Sequence, residues 1–199
     1  MRRSWIQLRL IDEETGYEIS FRRVELEDDL DRLHHWHHQA HVIPFWKQNF
    51  PLPKYKEHLY KLLCDRHQSL YIGYVNGEPM SYWECYWPTE DIIGNYYQHE
   101  DADQGIHLLF GPAKFLGKGL ALPLVRAMTA FMFQHEGTNK IVAEPDIRNG
   151  KMIHIFKKCG FEPQKEIVLP DKQGLLMFCE RSTFFRRWKD VNFIQQLHV

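Results

Sequence analysis

The sequence predicts a mixed α/β fold, and three observations support this prediction. Alternating segments typical of strands occur near the start, in the middle and in the last third of the chain, with helical apolar spacings between them. The chain has 199 residues, 44% of them hydrophobic, which is enough to bury a core of its own. It contains no repeat, low-complexity tract or linker, so we expect a single domain over residues 1–199.

Composition excludes several classes of protein. Lysine and arginine total 25 and aspartate and glutamate total 26, so the net charge of −1 argues against a dedicated nucleic-acid binder. No apolar run approaches the ~18 residues of a membrane span, and the first residues lead into no signal-like stretch. We therefore expect a cytoplasmic protein with no membrane partner. The four cysteines stand apart among apolar neighbours and are expected to be structural thiols: Cys64, Cys85, Cys159 and Cys179.

The first third of the chain predicts two strands and two helices. Residues 5–11 and 17–24 alternate around a polar turn, and residues 25–39 open with acidic side chains that favour a helix N-terminus. Residues 41–46 combine a proline with bulky aromatic side chains and are predicted to form a loop. Residues 54–67 repeat apolar side chains every three to four positions, which predicts a helix.

The middle of the chain predicts a hairpin and a long loop. Strand-like residues 69–75 and 80–87 flank Asn76-Gly77, the strongest short hairpin signal. Residues 87–103 are polar and are predicted to be a long loop.

Strands and helices alternate in the rest of the chain. The prediction is a strand at 105–110, a glycine-bearing turn at 111–119, a helix at 120–133, a strand at 140–144, a helix at 149–159, strands at 161–169 and 174–180, and a terminal helix at 183–197.

The glycine-bearing turn contains the most informative local segment, KFLGKG at residues 114–119. Glycines let a backbone approach a ligand closely, and the N-terminus of the following helix presents N–H groups with a positive dipole end, so the segment suits a pyrophosphate. The segment matches neither the P-loop pattern nor the GxGxxG dinucleotide fingerprint. A turn of this kind also occurs for purely structural reasons.

The order of elements around this segment resembles the GNAT acetyltransferases. A strand, Lys-x-x-Gly-x-Gly, a long helix, a strand, Asn149, a short helix and Gly160-Phe161 follow one another. The resemblance implies a central, twisted, mixed sheet with helices on both faces. It also implies acetyl-CoA as acyl donor, its pantetheine lying between the strands of His107 and Val142. The residues that it implies for coenzyme A are Leu109, Lys114, Gly117, Lys118, Gly119, Leu120, Asn149 and Phe156.

Two positions depart from the common pattern of that superfamily. Lys114 stands where the family usually has glutamine or arginine, which leaves the backbone cradle unchanged. Phe156 stands where many members have a tyrosine that protonates the leaving thiolate, so water or another group must supply that proton.

A narrower resemblance covers roughly residues 36–181. Five segments occur in the order found in the siderophore-biosynthesis acyltransferases, the group of the aerobactin hydroxylysine acetyltransferase and, more distantly, the mycobactin lysine acyltransferase. They read W at 36 with VIPFW at 42–46, YWECYW at 82–87, GIHLLFGP at 105–112, EPDIRN at 144–149 and LPDK at 169–172. The implied activity is acyl transfer to the nitrogen of an N-hydroxylated amine, such as hydroxylysine or an N-hydroxy-diamine, giving an iron-chelating hydroxamate.

His107 is the candidate general base. In the predicted strand it faces away from Ile106 and Leu108, a setting in which histidine is often simply a core residue. The resemblance implies a base here, and imidazole titrates near neutral pH, which suits proton removal from an attacking nitrogen. Its acidic partner is either Glu144 or Asp146; position favours Glu144, whereas Asp146 is also placed to cap the following turn.

The acceptor pocket is predicted from the same resemblance. The expected contacts are Trp36, His37, Phe45, Trp46, Trp83, Glu84, Asp171 and Lys172. The aromatic residues among them would either enclose a small polar amine or form core and lid, and the last two would contact substrate or form a turn.

A histidine cluster next to these residues suggests a metal site. His34, His37, His38 and His41 share one helix face at a spacing compatible with ligands. No nearby cysteine or acidic residue completes the set, so we expect no metal.

The sequence leaves three alternatives open. In the first, the acceptor is a plain amine, as in aminoglycoside acetyltransferases. In the second, the acyl donor is an acyl carrier protein, and in the third the chain is a coenzyme A-binding sensor without turnover.

Overall fold

A computed structural model describes residues 6–189. Eight strands form one mixed sheet in the order β1-β2-β3-β4-β5-β6-β8-β7. Their bounds are β1 Ile6–Ile11, β2 Glu18–Arg23, β3 Gln68–Val75, β4 Glu78–Tyr86, β5 Gln104–Phe110, β6 Lys140–Ala143, β7 Glu162–Val168 and β8 Gln173–Glu180.

Residues 6–189 contain six helices and three 3₁₀ turns, and all of them except the last helix lie between strands. The helices are α1 Leu26–His37, α2 Ile43–Trp46, α3 Leu52–Cys64, α4 Ala121–Met132, α5 Gly150–Cys159 and α6 Arg181–Arg187. The 3₁₀ turns are Pro88–Glu90, Ile92–Tyr96 and Ala113–Phe115. No helix among residues 6–189 is long and apolar enough to cross a membrane.

Both strand orientations occur in the sheet, which confirms the predicted mixed fold. Strands β1, β2 and β3 pair antiparallel, as do β6, β8 and β7. Strands β5 and β6 pair in parallel, with Gln104 opposite Ile141 and Gly105 opposite Val142. The predicted hairpin turn is also confirmed, because Asn76 and Gly77 have φ values of 50° and 77°, as a type I′ turn requires.

The described residues fall into two compact units. The first comprises residues 6–84 and 108–120, and the second comprises residues 85–107 and 121–189. The core of the first unit contains Val24, Leu33, Trp36, Val42, Tyr55, Leu59, Leu70, Ile72, Tyr82 and Leu109. The core of the second unit contains Tyr86, Ile93, Val142, Ile167, Leu169 and Leu176.

A buried ion pair joins α1 to β2 in the first unit. The Arg22 guanidinium donates to both carboxylate oxygens of Asp29, at 2.6 and 2.7 Å. Asp29 also accepts the main-chain N–H of Glu25, which precedes the helix. The acidic first turn predicted from the sequence therefore both caps the helix and anchors it to the sheet.

Residues 41–46 differ from their prediction, since the predicted loop contains the short helix α2. Pro44 lies in its first turn, where a fixed φ favours helix and a missing N–H costs nothing. The left-handed Lys47 ends it, donating its N–H to the Ile43 carbonyl.

The structure also bears on the predicted structural cysteines and on the predicted terminal helix. Cys64, expected among the structural thiols, is exposed because it ends α3 on the outer side, whereas the other three cysteines are buried. The terminal helix predicted at residues 183–197 corresponds to α6, which ends at Arg187. The part of the predicted helix beyond residue 189 lies outside the described residues.

Candidate active site

His107 and Glu144 form a hydrogen-bonded pair in the second unit. His107 lies on β5 and Glu144 follows the last residue of β6, where Pro145 prevents the strand from continuing. The His107 Nε2 atom hydrogen-bonds the Glu144 Oε1 atom. The side chain of Glu144 is only 4% exposed, while that of His107 is 30% exposed. The imidazole is therefore oriented by a buried carboxylate and remains accessible.

This hydrogen bond determines which imidazole nitrogen can act as a base. A neutral histidine that donates its Nε2 proton to a carboxylate carries its lone pair on Nδ1. Burial alone would raise the pKa of Glu144, but its contacts with His107, Lys172 and Tyr86 outweigh burial and hold the pKa below its usual value. Glu144 is thus ionised near neutral pH, and a neutral His107 that donates from Nε2 would present Nδ1 as its accepting atom.

Tyr86 completes the pair from β4. Its hydroxyl donates to Glu144 Oε2 at 3.0 Å, and its ring centroid lies 4.7 Å from that of His107. Burial and the nearby carboxylate raise the pKa of Tyr86 well above its usual value, so it stays a neutral donor. Gly105 leaves room for the phenol ring, which any Cβ at that position would overlap.

Lys172, predicted to contact substrate or to form a turn, contacts Glu144. Its Nζ donates to Oε1 at 3.2 Å, the same oxygen that His107 uses. Sequence reasoning missed both Tyr86 and this role of Lys172, although the segments that contain them were identified.

Asp146 was proposed as the other possible partner of His107, and that alternative is wrong. Its carboxylate accepts the Arg148 main-chain N–H at 2.9 Å and holds the Arg148 side chain through two further bonds, of 2.9 and 2.6 Å. Its main-chain carbonyl accepts the N–H of Asn149. Asp146 therefore shapes the turn that leads into α5.

The glycine segment has the geometry that a pyrophosphate cradle needs. Gly117 and Gly119 have φ values of 72° and 76°, and a Cβ built on either meets nothing within 4 Å. Side chains other than glycine rarely adopt this conformation, and the open space lets a ligand approach the main chain. Lys114 lies beside Glu78 at 3.2 Å and is exposed. The segment fits coenzyme A, with the main chain around residues 117–120 and the Lys114 and Lys118 side chains as candidate contacts.

The other predicted coenzyme A residues have structural roles. Asn149 caps α5 by accepting the Met152 N–H at 3.2 Å. Phe156 is buried against Phe161, with ring centroids 4.8 Å apart. Leu109 is buried in the core of the first unit.

Three predicted acceptor contacts form a cluster in the first unit. The carboxylate of Glu84 is 7% exposed and accepts the Tyr82 hydroxyl at 2.9 Å. His37 is fully buried, and its ring lies 5.3 Å from Trp46 and 5.8 Å from Tyr82. Its Nδ1 lies 2.8 Å from the Tyr55 hydroxyl, a partner that the sequence did not suggest. Burial lowers the pKa of His37 to about 4, so its ring is neutral near pH 7.

Trp83 and Trp36 are buried core side chains, and their acceptor contacts stay predictions. Trp83 is fully buried, donates its indole N–H to Ser81 at 2.7 Å and meets the Phe21 ring edge-on. Successive strand residues face opposite sides, so Trp83 points away from Glu84. Trp36 packs in the core against Gly111.

The last two candidate acceptor contacts differ in exposure. Phe45 is partly buried and Asp171 is exposed, and their acceptor roles stay predictions.

The histidine cluster makes local hydrogen bonds. His38 Nδ1 lies 2.8 Å from the His34 carbonyl, and His41 Nε2 lies 2.8 Å from the Phe110 carbonyl. His34 Nε2 lies 3.0 Å from the Phe50 carbonyl. No three His, Cys, Asp or Glu side chains between residues 6 and 189 are arranged to hold a metal ion.

Known proteins resemble this chain over most of its length. A family profile described as an acetyltransferase (GNAT) domain matches residues 25–169. N-hydroxyputrescine acetyltransferase of Acinetobacter baumannii is 32% identical over 176 residues, covering 88% of this chain and 83% of that protein.

Solved structures of other proteins share this fold. An uncharacterized protein from Bacillus halodurans is 57% identical, with a TM-score of 0.89, over 92% of this chain and 94% of that one. The aminoglycoside acetyltransferase AAC(6')-Ib, solved with paromomycin and acetyl-CoA, is 29% identical, with a TM-score of 0.79, over 86% of this chain and 98% of that one.

These comparisons agree with the geometry of the site. The family profile spans the glycine segment, His107 and Glu144, and the Acinetobacter relative confirms the resemblance to acyltransferases of N-hydroxylated amines. The structure solved with acetyl-CoA supports that thioester as the acyl donor. The chain therefore belongs to the GNAT acetyltransferases and is an N-acyltransferase of that family.

Proposed function

We propose that this enzyme transfers an acetyl or short acyl group from coenzyme A to the nitrogen of an N-hydroxylated amine, as a step of hydroxamate siderophore biosynthesis. The Acinetobacter relative, named for such an acceptor, supports the substrate class. The observation that carries the proposal is the His107–Glu144 pair, a single base held by a buried, ionised carboxylate. A hydroxylamine nitrogen is uncharged at pH 7 and has one proton to lose, which one imidazole can accept.

The reaction balances with these groups. The acceptor nitrogen attacks the thioester carbonyl carbon, a C–N bond forms and the C–S bond breaks. Nδ1 of His107 takes the proton from nitrogen, and coenzyme A leaves as a thiolate. Phe156 has no proton to donate, so the thiolate takes one from water or from the imidazolium. Because an ordinary thiol has a pKa of about 8.5, protonation of the thiolate is not demanding at neutral pH.

The Glu84 cluster of the first unit is a candidate to recognise a positively charged group of the acceptor. The terminal ammonium of a diamine pairs with carboxylates through charge-assisted hydrogen bonds, and Glu84 is the carboxylate of this cluster. The neutral His37 adds no competing charge, and the partly buried Trp46 offers an aromatic face to the alkyl chain or the ammonium. N-hydroxy-diamines are therefore the preferred acceptors in this proposal.

A second candidate is acetylation of a plain amine such as an aminoglycoside. The similarity to AAC(6')-Ib supports it, because 29% identity is close to the 32% of the hydroxyputrescine enzyme. A plain amine is protonated at pH 7 and must lose a proton before it can attack, which places a heavier demand on His107.

The test follows free thiol released from acetyl-CoA with matched acceptors. These are hydroxylysine, N-hydroxy-diamines of several lengths, the parent amines without the hydroxyl group, and one aminoglycoside. Turnover confined to hydroxylated acceptors is expected, and the best chain length then identifies the substrate. A preference for the parent amines or for the aminoglycoside would contradict the proposal and favour the second candidate. Turnover with none of them, while coenzyme A still binds, would favour an acyl carrier donor or a sensor.

A further inference from the structure

Three side chains share the carboxylate of Glu144 in the second unit. His107 and Lys172 both use Oε1, and the Tyr86 hydroxyl uses Oε2 at 3.0 Å. Lys172 is itself only 16% exposed, so its charge acts where water screens it little. The pair that orients the base is therefore one part of a buried cluster that carries both a negative and a positive charge.

Glu144 alone would create a difficulty for a general base. A buried carboxylate against an imidazole stabilises the protonated imidazolium. A base that is already protonated at neutral pH cannot take a proton from the acceptor. The same hydrogen bond that orients His107 thus tends to inactivate it.

The Lys172 ammonium opposes that tendency. With neutral His107, the charges of Glu144 and Lys172 cancel, and protonating the imidazole would leave an uncompensated positive charge beside Lys172. Among residues 6–189, the neighbouring Tyr86 and Asp146 do not replace the Lys172 charge. Tyr86 stays neutral, and Asp146 is held by Arg148. Two more groups interact electrostatically with the cluster. Asp91 and Tyr97 raise the pKa of Tyr86, and Glu144 raises the pKa of Tyr97.

The local fold holds Lys172 in position. It lies in the turn between β7 and β8, and its main-chain carbonyl accepts the Leu169 N–H at 2.9 Å. Leu175 on β8 donates its N–H to the Pro145 carbonyl at 2.9 Å, beside Glu144. A Cβ on Gly174 would lie 3.2 Å from the Glu144 carbonyl oxygen, so the turn and the carboxylate are in close contact.

We propose that Lys172 is a positioning residue that keeps His107 neutral and able to accept a proton, by sharing the carboxylate oxygen that His107 uses. The inference rests on the proposed function only in taking His107 as the base. Lys172 neither gains nor loses a proton in the reaction.

The test compares Lys172→Met, which removes the charge and keeps the length, with the conservative Lys172→Arg. Lys165→Met, on the exposed face of β7 in the same hairpin, is the matched control. In each variant the titration of His107 is followed by NMR of its Cε1–H group, assigned by comparison with His107→Gln. The pH dependence of kcat/KM is measured on the same samples.

Lys172→Met is expected to move two midpoints to higher pH by about one unit. They are the midpoint of the His107 NMR titration and the pH at which kcat/KM falls to half on the acid side. Activity then falls about tenfold near pH 6 and recovers by pH 9. Lys172→Arg is expected to restore most of the low-pH activity, and Lys165→Met to match the parent enzyme.

An equal loss at every pH with an unchanged His107 midpoint would overturn the proposal and indicate a contact with substrate or a purely structural role. The NMR titration requires no acceptor. A shifted midpoint in an enzyme that acetylates no N-hydroxylated amine would therefore support the inference about Lys172 while contradicting the proposed substrate.

Discussion

At the scale of single residues, replacing His107 tests the chemistry most directly. His107→Gln keeps a hydrogen-bonding side chain beside Glu144 but cannot accept a proton. General-base catalysis contributes about 10²–10⁴-fold, so we expect kcat at pH 7 to fall about 10²-fold with little change in the KM for acetyl-CoA. Steady-state thiol release measures this, with the exposed His154→Gln as control. A fall of less than about tenfold would show that positioning, rather than proton removal, carries the rate.

Glu84 makes a prediction of a different kind, because its proposed role is recognition. Glu84→Gln keeps the shape and the Tyr82 contact but removes the charge. We expect the KM for an N-hydroxy-diamine to rise about tenfold, in line with the loss of one charged hydrogen bond. The KM for an N-hydroxy-monoamine of equal length should change little. Equal effects on both acceptors would mean that Glu84 does not contact the ammonium.

At the scale of elements, the glycine segment can be tested against another turn of the same fold. Gly117→Ala places a side chain at a φ of 72°, where an alanine is strained but meets no atom. We expect the KM for acetyl-CoA to rise about tenfold and the acceptor KM to stay constant. Gly16→Ala is the matched control, since Gly16 has a φ of 69° with equally open space in the β1–β2 turn. Both variants should lose similar stability, and the same rise in KM for both would refute the cofactor role.

Local signals in the sequence predicted elements well. The Asn76-Gly77 turn and the α5 ends at Asn149 and Gly160 each depend on a residue type that suits one backbone conformation. Helix α2 was missed because Pro44 was treated as a helix breaker, although proline in a first turn supports a helix. Strand alternation alone places Trp83 on the face opposite Glu84, and the structure has it as a buried core side chain.

The hydrogen-bonded pair of His107 and Glu144 was predicted only in part, for a physical reason. The sequence placed Glu144 and Asp146 at the end of the same predicted strand, and position favoured Glu144 as the partner of His107 without excluding Asp146. That choice depends on contacts made by residues distant in the chain, with Lys172 and Tyr86 approaching Glu144 while Arg148 holds Asp146. Such contacts arise from tertiary packing and leave no local pattern.

At the scale of the whole molecule, buried histidine makes stability depend on pH. Burial lowers the pKa of His37 to about 4 in the folded protein, against about 6.5 for an ordinary histidine. Between these values the unfolded chain binds a proton that the folded protein does not bind, so stability must fall as pH falls. The contribution is complete above about pH 6.5 and is lost progressively on acidification. With a formal net charge of −1, global repulsion is small at pH 7, so this local effect should be visible.

We therefore expect the free energy of unfolding in urea to fall between pH 7 and pH 5, with roughly 1–2 kcal/mol of the loss due to His37. His37→Gln removes the titrating group and should reduce the slope by that amount, even if the variant is less stable at pH 7 because the contact with Tyr55 changes. The exposed His35→Gln on the same helix should keep the parent slope. Parallel pH profiles for the parent and His37→Gln would mean that His37 titrates alike in both states, which its complete burial argues against.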